Sequence, residues 1–393
     1  VDNERQLAGL ALALQHLLLA SFGMRPEDLG RETADAAKHL GGEDLVLLLC
    51  DYAQTTLVPF DEHDPREYAI DDSAAGQAFR TDTVVEETLD DARRRLWLPV
   101  KDSAERQGVM GVTDDGSITA ENWLTVSSLV GELVVSKIAY GDHITMRKRS
   151  QPFSLTAERA WSLLPPLTFS SPDVTIAGFL QPPERIAGDA FDYGVTARVA
   201  SIAIFDAMGH GLEASRMANL AVATYRNSRR NGVGLAESLR ELDAQIASQF
   251  GDSRFVTGQL ASLDLDSGRM DIVNAGHPRP LVLRPGQRVE EVACAPSAPA
   301  GIGCEPTVTA VDLRPGDSVL FRTDGVVDAR SPSGEVFSDE RLADLVHELN
   351  AAGLPPSEVV RKVVHAVVEH RASRPGDDAM VVLVRWKVRE GPI

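Results

Sequence analysis

The chain has 393 residues, enough for two domains of ordinary size, each with its own core. Its 43% hydrophobic content is that of a soluble globular protein, and a net charge of -19 argues against nucleic acid or an anionic membrane as partner, since both need basic surface. The three cysteines, Cys50, Cys294 and Cys304, show no CxxC or CxxH spacing, which argues against a disulfide framework or a zinc site and suits a reducing cytoplasm.

The first residues, VDNERQ, lack the basic start of a signal peptide. Residues 5–21 have helical apolar spacing, but Gln15 and His16 interrupt them and the stretch is too short to span a bilayer. RETADAAKHLGG (31–42) reads as a second, short helix stopped by glycine. EDLVLLLCDYAQTTLVPF predicts strand, turn and strand, and AAGQAFRTDTVVEE predicts a short helix, a turn at Thr81-Asp82 and a strand. RLWLPVKDSAERQGVMGVTDDG has the shape of a hairpin. Residues 121–140 close the unit as an amphipathic helix with Leu124, Leu129, Val130, Leu133, Val134 and Ile138 on one face. Helices at both ends of a small antiparallel sheet give an α+β domain over residues 1–145.

Residues 146–170 read as a linker with a short helix. Arg147-Lys148-Arg149 is expected to be a solvated face of it. Ser154 lies one residue too far from Glu158 for a capping box, which leaves Thr156 as the cap of a helix stopped by Pro165-Pro166. From about 173 the texture is strand-rich. VTIAGFLQP, AFDYGVTAR and VASIAIFDA predict three strands, followed by helices near 211–230 and 235–249. Hairpins about Asp266-Ser267-Gly268 and Pro285-Gly286, helices near 338–350 and 356–371, and a last strand AMVVLVRWKV complete residues 171–393. This order predicts two antiparallel sheets with helices packed outside.

Four places put Asp where a strand ends. RIAGDAFDYG carries Asp189 and Asp192, IAIFDAMGHG carries Asp206, VLFRTDGVVDA carries Asp324, and RPGDDAMVVLV carries Asp377 and Asp378. Any one of these alone is most simply a turn, as Asp264 and Asp266 in LDLDSG are expected to be. Their shared context points elsewhere: carboxylates gathered in one cleft repel each other and are costly to desolvate unless cations are present. Oxygen ligands without His or Cys select hard ions, Mg²⁺ or Mn²⁺.

In this order, AGDAFD, DAMGHG, NAGHPRP, TDGVVDA and DDAMVVLV resemble the motifs of the PP2C-type (PPM) phosphatases of the SpoIIE/RsbU class, over residues 155–388. These are bacterial metal-dependent serine/threonine phosphatases, and the resemblance implies an αββα sandwich and two Mn²⁺ or Mg²⁺ ions. It places Asp189 and Asp206 at the two-metal centre, with Asp206 bridging and the backbone carbonyl of Ala207 as a further ligand. Asp324 and Asp377 would complete the second metal, with Asp378 open as the alternative to Asp377. Asp189, Asp206 and Asp324 would be catalytic through metal-bound water, which attacks phosphorus in line without a phosphoenzyme. Gly209 and Gly211 would let the backbone turn closely around the cations. The chain departs from the class at Ala187, where glycine is usual, and from the eukaryotic relatives at Met208, where they have histidine. His210 and His277 are expected to be structural, and Arg185 is the nearest candidate for a phosphate-binding residue.

Residues 1–145 resemble a GAF sensor domain through GQAFRTDTVVEE and LPVKDSAERQGVMGV, without a chromophore cysteine or cyclic-nucleotide signature, so any small-molecule ligand is unassigned. The expected protein is a cytoplasmic metal-dependent serine/threonine phosphatase acting on a phosphorylated anti-sigma factor antagonist (STAS) protein in sigma-factor partner switching. A homodimer through helix 121–140 and the AERAWSLLPP helix is expected, with no nucleic-acid or membrane partner. The competing expectation is a weak or inactive phosphatase-fold scaffold regulating partners through its sensor, against which the intact Asp set stands. A small-molecule phosphohydrolase also fits the sequence.

Overall fold

A computed structural model describes residues 2–89, 93–182, 184–251, 253–372 and 377–387. The chain divides into two compact units at Pro152–Phe153, inside the stretch read from the sequence as a linker. Among the described residues no helix is long and apolar enough to cross a membrane.

The first unit runs α1 (Asp2–Ser21), α2 (Leu29–Ala37), β1 (Glu43–Cys50), β2 (Thr56–Pro59), β3 (Tyr68–Ala69), α3 (Ala74–Thr81), β4 (Val85–Thr88), β5 (Arg94–Asp102), β6 (Glu105–Asp114), α4 (Ala120–Ile138) and α5 (His143–Arg147). Its antiparallel sheet has the order β3-β2-β1-β6-β5-β4. Alternation along β1 sends Leu47 and Leu49 to a core shared with α1, α2 and α4, and Val46, Leu48 and Cys50 to a smaller core under α3. Asp82 ends α3 at φ 59°, so the turn falls where the sequence placed it.

Two local expectations are corrected. The buried face of α4 is rotated toward Trp123, Val126 and Ser127, while Leu124, Leu129 and Ile138 are only half-buried. Small polar positions make this possible: Ser127 Oγ donates to Pro99 O at 2.7 Å, and a Cβ on Gly131 would meet Lys101 O at 1.9 Å. The basic run is not a solvated face either. Arg147 closes α5 and donates to Pro59 O at 2.7 and 2.9 Å, and Lys148 Nζ lies 5.3 Å from the Tyr52 ring centroid.

The second unit runs α6 (Leu155–Leu163), β7 (Thr168–Ser170), β8 (Val174–Gln181), β9 (Asp189–Val195), β10 (Val199–Ala207), α7 (Gly211–Arg230), α8 (Leu235–Phe250), β11 (Val256–Asp264), β12 (Arg269–Ala275), β13 (Leu281–Leu283), β14 (Glu290–Glu291), β15 (Thr309–Asp312), β16 (Ser318–Arg322), α9 (Asp324–Val327), α10 (Asp339–Ala351), α11 (Pro356–His370) and β17 (Ala379–Trp386). The cap of α6 is Ser154, whose Oγ accepts from Ala157 N at 3.2 Å, and not Thr156, which lies inside the helix. A capping box is not needed for a serine to cap.

Two antiparallel sheets, β15-β12-β11-β10-β9 and β14-β13-β16-β17-β8-β7, face each other across the main core. Helices α7 and α8 cover the outer face of the first, and α10 and α11 that of the second. The unit is therefore the αββα sandwich the sequence predicted. Period-two alternation along β10 sends Ile202 and Ile204 between the sheets, and Ala203 and Phe205 toward α7 and α8.

Candidate metal centre

The same alternation sorts the carboxylates. Asp206 shares the inner face of Ile204, at the open end of β10, and pairs in register with Asp189 at the start of β9. Asp189 shares the inner face of Phe191. Asp192, three residues on, falls on the outer face, where Arg226 Nε and Arg229 Nη2 donate to its buried carboxylate at 2.8 and 2.9 Å. Asp192 is thus an ion-pair partner of α7 and lies outside the cluster. Ala207 ends β10, and the turn into α7 passes through Gly209 at φ 93° and Gly211 at φ 73°, a left-handed backbone that strains any residue with a Cβ.

The second sheet supplies the other carboxylates. Asp324 opens α9 directly after β16, and Asp377 and Asp378 precede β17. Buried Thr323 joins three segments. Its Oγ1 donates to Asp189 Oδ2 at 2.8 Å and accepts from Met380 N at 3.1 Å. The adjacent aspartates are placed differently. Asp378 Oδ2 accepts from Ala187 N at 2.8 Å and Gly188 N at 3.1 Å, clamping the start of β9. Asp377 Oδ1 accepts its neighbour's N–H at 3.0 Å, and Asp377 lines an open cavity of about 520 Å³ with Asp324, Asp328, Arg330 and Arg371. Ala187 has ordinary negative-φ backbone, so the missing glycine carries no strain.

The electrostatics of the cluster are those of unbalanced negative charge. Burial and then the charges of Asp206 and Asp378 push Asp189 well above the usual carboxylate range, although Thr323 opposes the shift. Burial, followed by Asp324, Asp377 and Asp378, raises Asp206 to about 7. Asp324 is raised by burial and then by Asp377, and Asp378 by burial against its two backbone donors. A set of oxygen donors in this state fits hard divalent cations. Among the described residues no three His, Cys, Asp or Glu side chains stand in position to hold one ion by themselves. The fit is therefore to Mg²⁺- or Mn²⁺-like ions that keep several waters, held by one or two carboxylates each.

The other residues singled out from the sequence have different surroundings. His277 is buried, with its backbone N donating to Asn274 Oδ1 at 2.8 Å and Nδ1 3.0 Å from Thr257 Oγ1. Burial, and then the charge of Arg322, lowers it to about 3, so it is neutral at working pH. His210 is the exposed N-cap residue of α7, its side chain making no capping bond, and Met208 is 38% exposed. Arg185 is exposed, 3.7 Å from Glu184. Asp264 closes its hairpin turn by accepting from Ser267 N at 2.7 Å. Sequence reasoning missed Thr323 and Arg371. The first precedes Asp324 inside a quoted motif and was legible as a neighbour; the second has no motif at all.

Residues 197–387 match the family model described as Stage II sporulation protein E (SpoIIE). Phosphoserine phosphatase RsbP of Bacillus subtilis (strain 168) is 24% identical over 221 residues, covering 54% of this chain and 53% of RsbP. Phosphoserine phosphatase RsbU of the same organism is 20% identical over 278 residues, covering 69% of this chain and 82% of RsbU. The chain thus spans about half the length of RsbP. Among solved structures, the RsbU and RsbW domains of Rv1364c from Mycobacterium tuberculosis superpose with a TM-score of 0.52 at 24% identity, covering 58% of this chain and 64% of that one. That likeness supports the fold.

Proposed function

Because residues 197–387 form a SpoIIE-family, PP2C-type domain, we propose that the protein is a metal-dependent phosphatase of phosphoserine and phosphothreonine in proteins. The observation that carries this is the convergence of Asp189 and Asp206 from one sheet with Asp324 and Asp377 from the other, with their charges unbalanced. Two Mn²⁺ or Mg²⁺ ions, when bound, would supply a nucleophilic water at neutral pH and offset charge on the transferring phosphoryl group. By the resemblance, Asp206, Asp189 and the Ala207 carbonyl would hold metal from the first sheet, and Asp324 and Asp377 from the second, with water completing each shell. Asp378 acts on the backbone ahead of Asp189. His277, neutral and buried, orders the turn after β12 and moves no proton. Buried Cys294 and Cys304 have no part in such a reaction.

The names of RsbP and RsbU support a phosphoserine substrate, and we assign it to a STAS-type antagonist of an anti-sigma factor in a cytoplasmic partner-switching pathway. The first unit, an α+β domain built on a six-stranded sheet, is read as a GAF-like sensor that works in a homodimer. The test is phosphate release from a phosphoserine STAS protein and from a generic phosphoester, with Mn²⁺ or EDTA, for wild type and Asp206→Asn. Mn²⁺-dependent turnover, lost in the variant by a factor of roughly 10³ or more, is expected. A wild type that neither turns over nor binds Mn²⁺ would leave the scaffold reading in its place.

A further inference from the structure

The β16–β17 ladder ends with Arg322 opposite Val381, so Asp324 and Asp377 both lie beyond its last rung. The last backbone tie between the segments is Thr323 N to Met380 O at 3.1 Å, so the two carboxylates lie past it and their like charges push the chain ends apart. Past Thr323, Arg371 reaches both. Arg371, at the end of α11 and only 8% exposed, donates through Nη1 to Asp377 O at 2.6 Å and through Nη2 to Gly325 O. The segments also touch directly, for a Cβ on Gly325 would meet Asp378 O at 1.9 Å. A planar guanidinium can hold two carbonyls at a fixed angle, whereas a lysine ammonium holds a point.

We propose that Arg371 is the positioning residue of the metal centre: its fork fixes the spacing of the Asp324 and Asp377 segments and so sets the affinity for divalent cations. Its two Nη groups face backbone carbonyls of this chain, which distinguishes it from a group that receives substrate phosphate. The assignment rests on the metal-centre reading above.

Charge and position predict opposite signs. A buried cation beside the centre repels Mn²⁺, so a purely electrostatic role would give tighter binding once the charge is removed. A positioning role gives weaker binding. The experiment is calorimetric titration of the full chain with Mn²⁺ for wild type, Arg371→Lys and Arg371→Gln, with urea melts in EDTA to establish that each is folded. Arg371→Gln should weaken Mn²⁺ binding by roughly 10–100-fold, the range for loss of a group supporting metal ligands, and Arg371→Lys by less. If the Gln variant does not fold, the Lys variant decides, with several-fold weakening expected. Unchanged or tighter binding in the folded variants would overturn the role of Arg371 while leaving the metal centre intact. Absence of Mn²⁺ binding in the wild type would overturn both.

Discussion

At the scale of single residues, the structure makes the carboxylate cluster a source of instability above the pH at which its members ionise. Asp206 has its carboxyl raised to about 7 from an ordinary 3.8, so between those values the folded protein holds a proton that the unfolded chain has released. Stability from this group is therefore greatest below about pH 4 and falls as the pH rises toward 7, by at most ~4 kcal/mol for a shift of about three units. In EDTA, Asp206→Asn should raise the urea midpoint at pH 7.5, with a smaller gain at pH 5. With Mn²⁺ at pH 7.5 the order should reverse, because only the wild type gains full ligation. A variant no more stable than wild type in EDTA would remove the charge-stack argument. His277 has the opposite linkage. Its folded value of about 3 lies below the ordinary 6.5, so its contribution is present above 6.5 and lost as the pH falls from there toward 3. His277→Gln should cost more stability at pH 8 than at pH 5, and leave the acidic limb of the pH–rate profile where it was. The aspartates were legible in the sequence because each ends an apolar run or adjoins glycine. Thr323 and Arg371 act through where their side chains land, which depends on three chain segments meeting, and no local pattern encodes that.

At the scale of elements, apolar runs predicted β8, β10 and β17, and the parity along β9 explains why Asp189 enters the cleft while Asp192 pairs with α7. The face of α4 was harder to read. Ser127 and Gly131 look polar or neutral in a periodicity count, yet small size lets them sit against β5. The turn between β10 and α7 is an element whose requirement can be measured. No atom lies within 4 Å of a Cβ built on Gly211, so a side chain there meets no clash and feels only the left-handed backbone at φ 73°. Gly211→Ala should cost about 1–2 kcal/mol in urea melts and, on the proposed ligand set, weaken Mn²⁺ binding by displacing the Ala207 carbonyl. Gly211→Asn should recover a good part of both, since asparagine tolerates this conformation. Equal losses in the two variants would show that the backbone angle is not what matters.

At the scale of the whole molecule, the two units were legible as a change in texture near residue 173, but the border between them was not. A Pro-rich, basic stretch reads as a linker from composition alone, while burial decides where a domain begins. Here α6 and the strand after it are built into the second unit. Ala160 and Leu167 are each 8% exposed within its main core, with Trp161, Leu164 and Phe169 packed against it. Arg226, which also holds Asp192, donates to Leu163 O, and Tyr193 OH donates to Pro166 O at 2.9 Å. A fragment of residues 153–393 should therefore unfold in a single cooperative transition. A fragment starting at 171 would expose this apolar surface, remove β7 from its sheet edge and leave Arg226 without its carbonyl. It should be less stable by ~3 kcal/mol or more, on the scale of burying two or three large side chains. Its Mn²⁺ affinity should fall as well, because Asp192 and Asp189 lie on the same strand and a loosened α7 disturbs both. Urea melts and Mn²⁺ titrations of the two fragments decide the matter. Equal midpoints would mean that residues 153–170 belong to the connection between the units, as composition suggested, and not to the phosphatase-fold core.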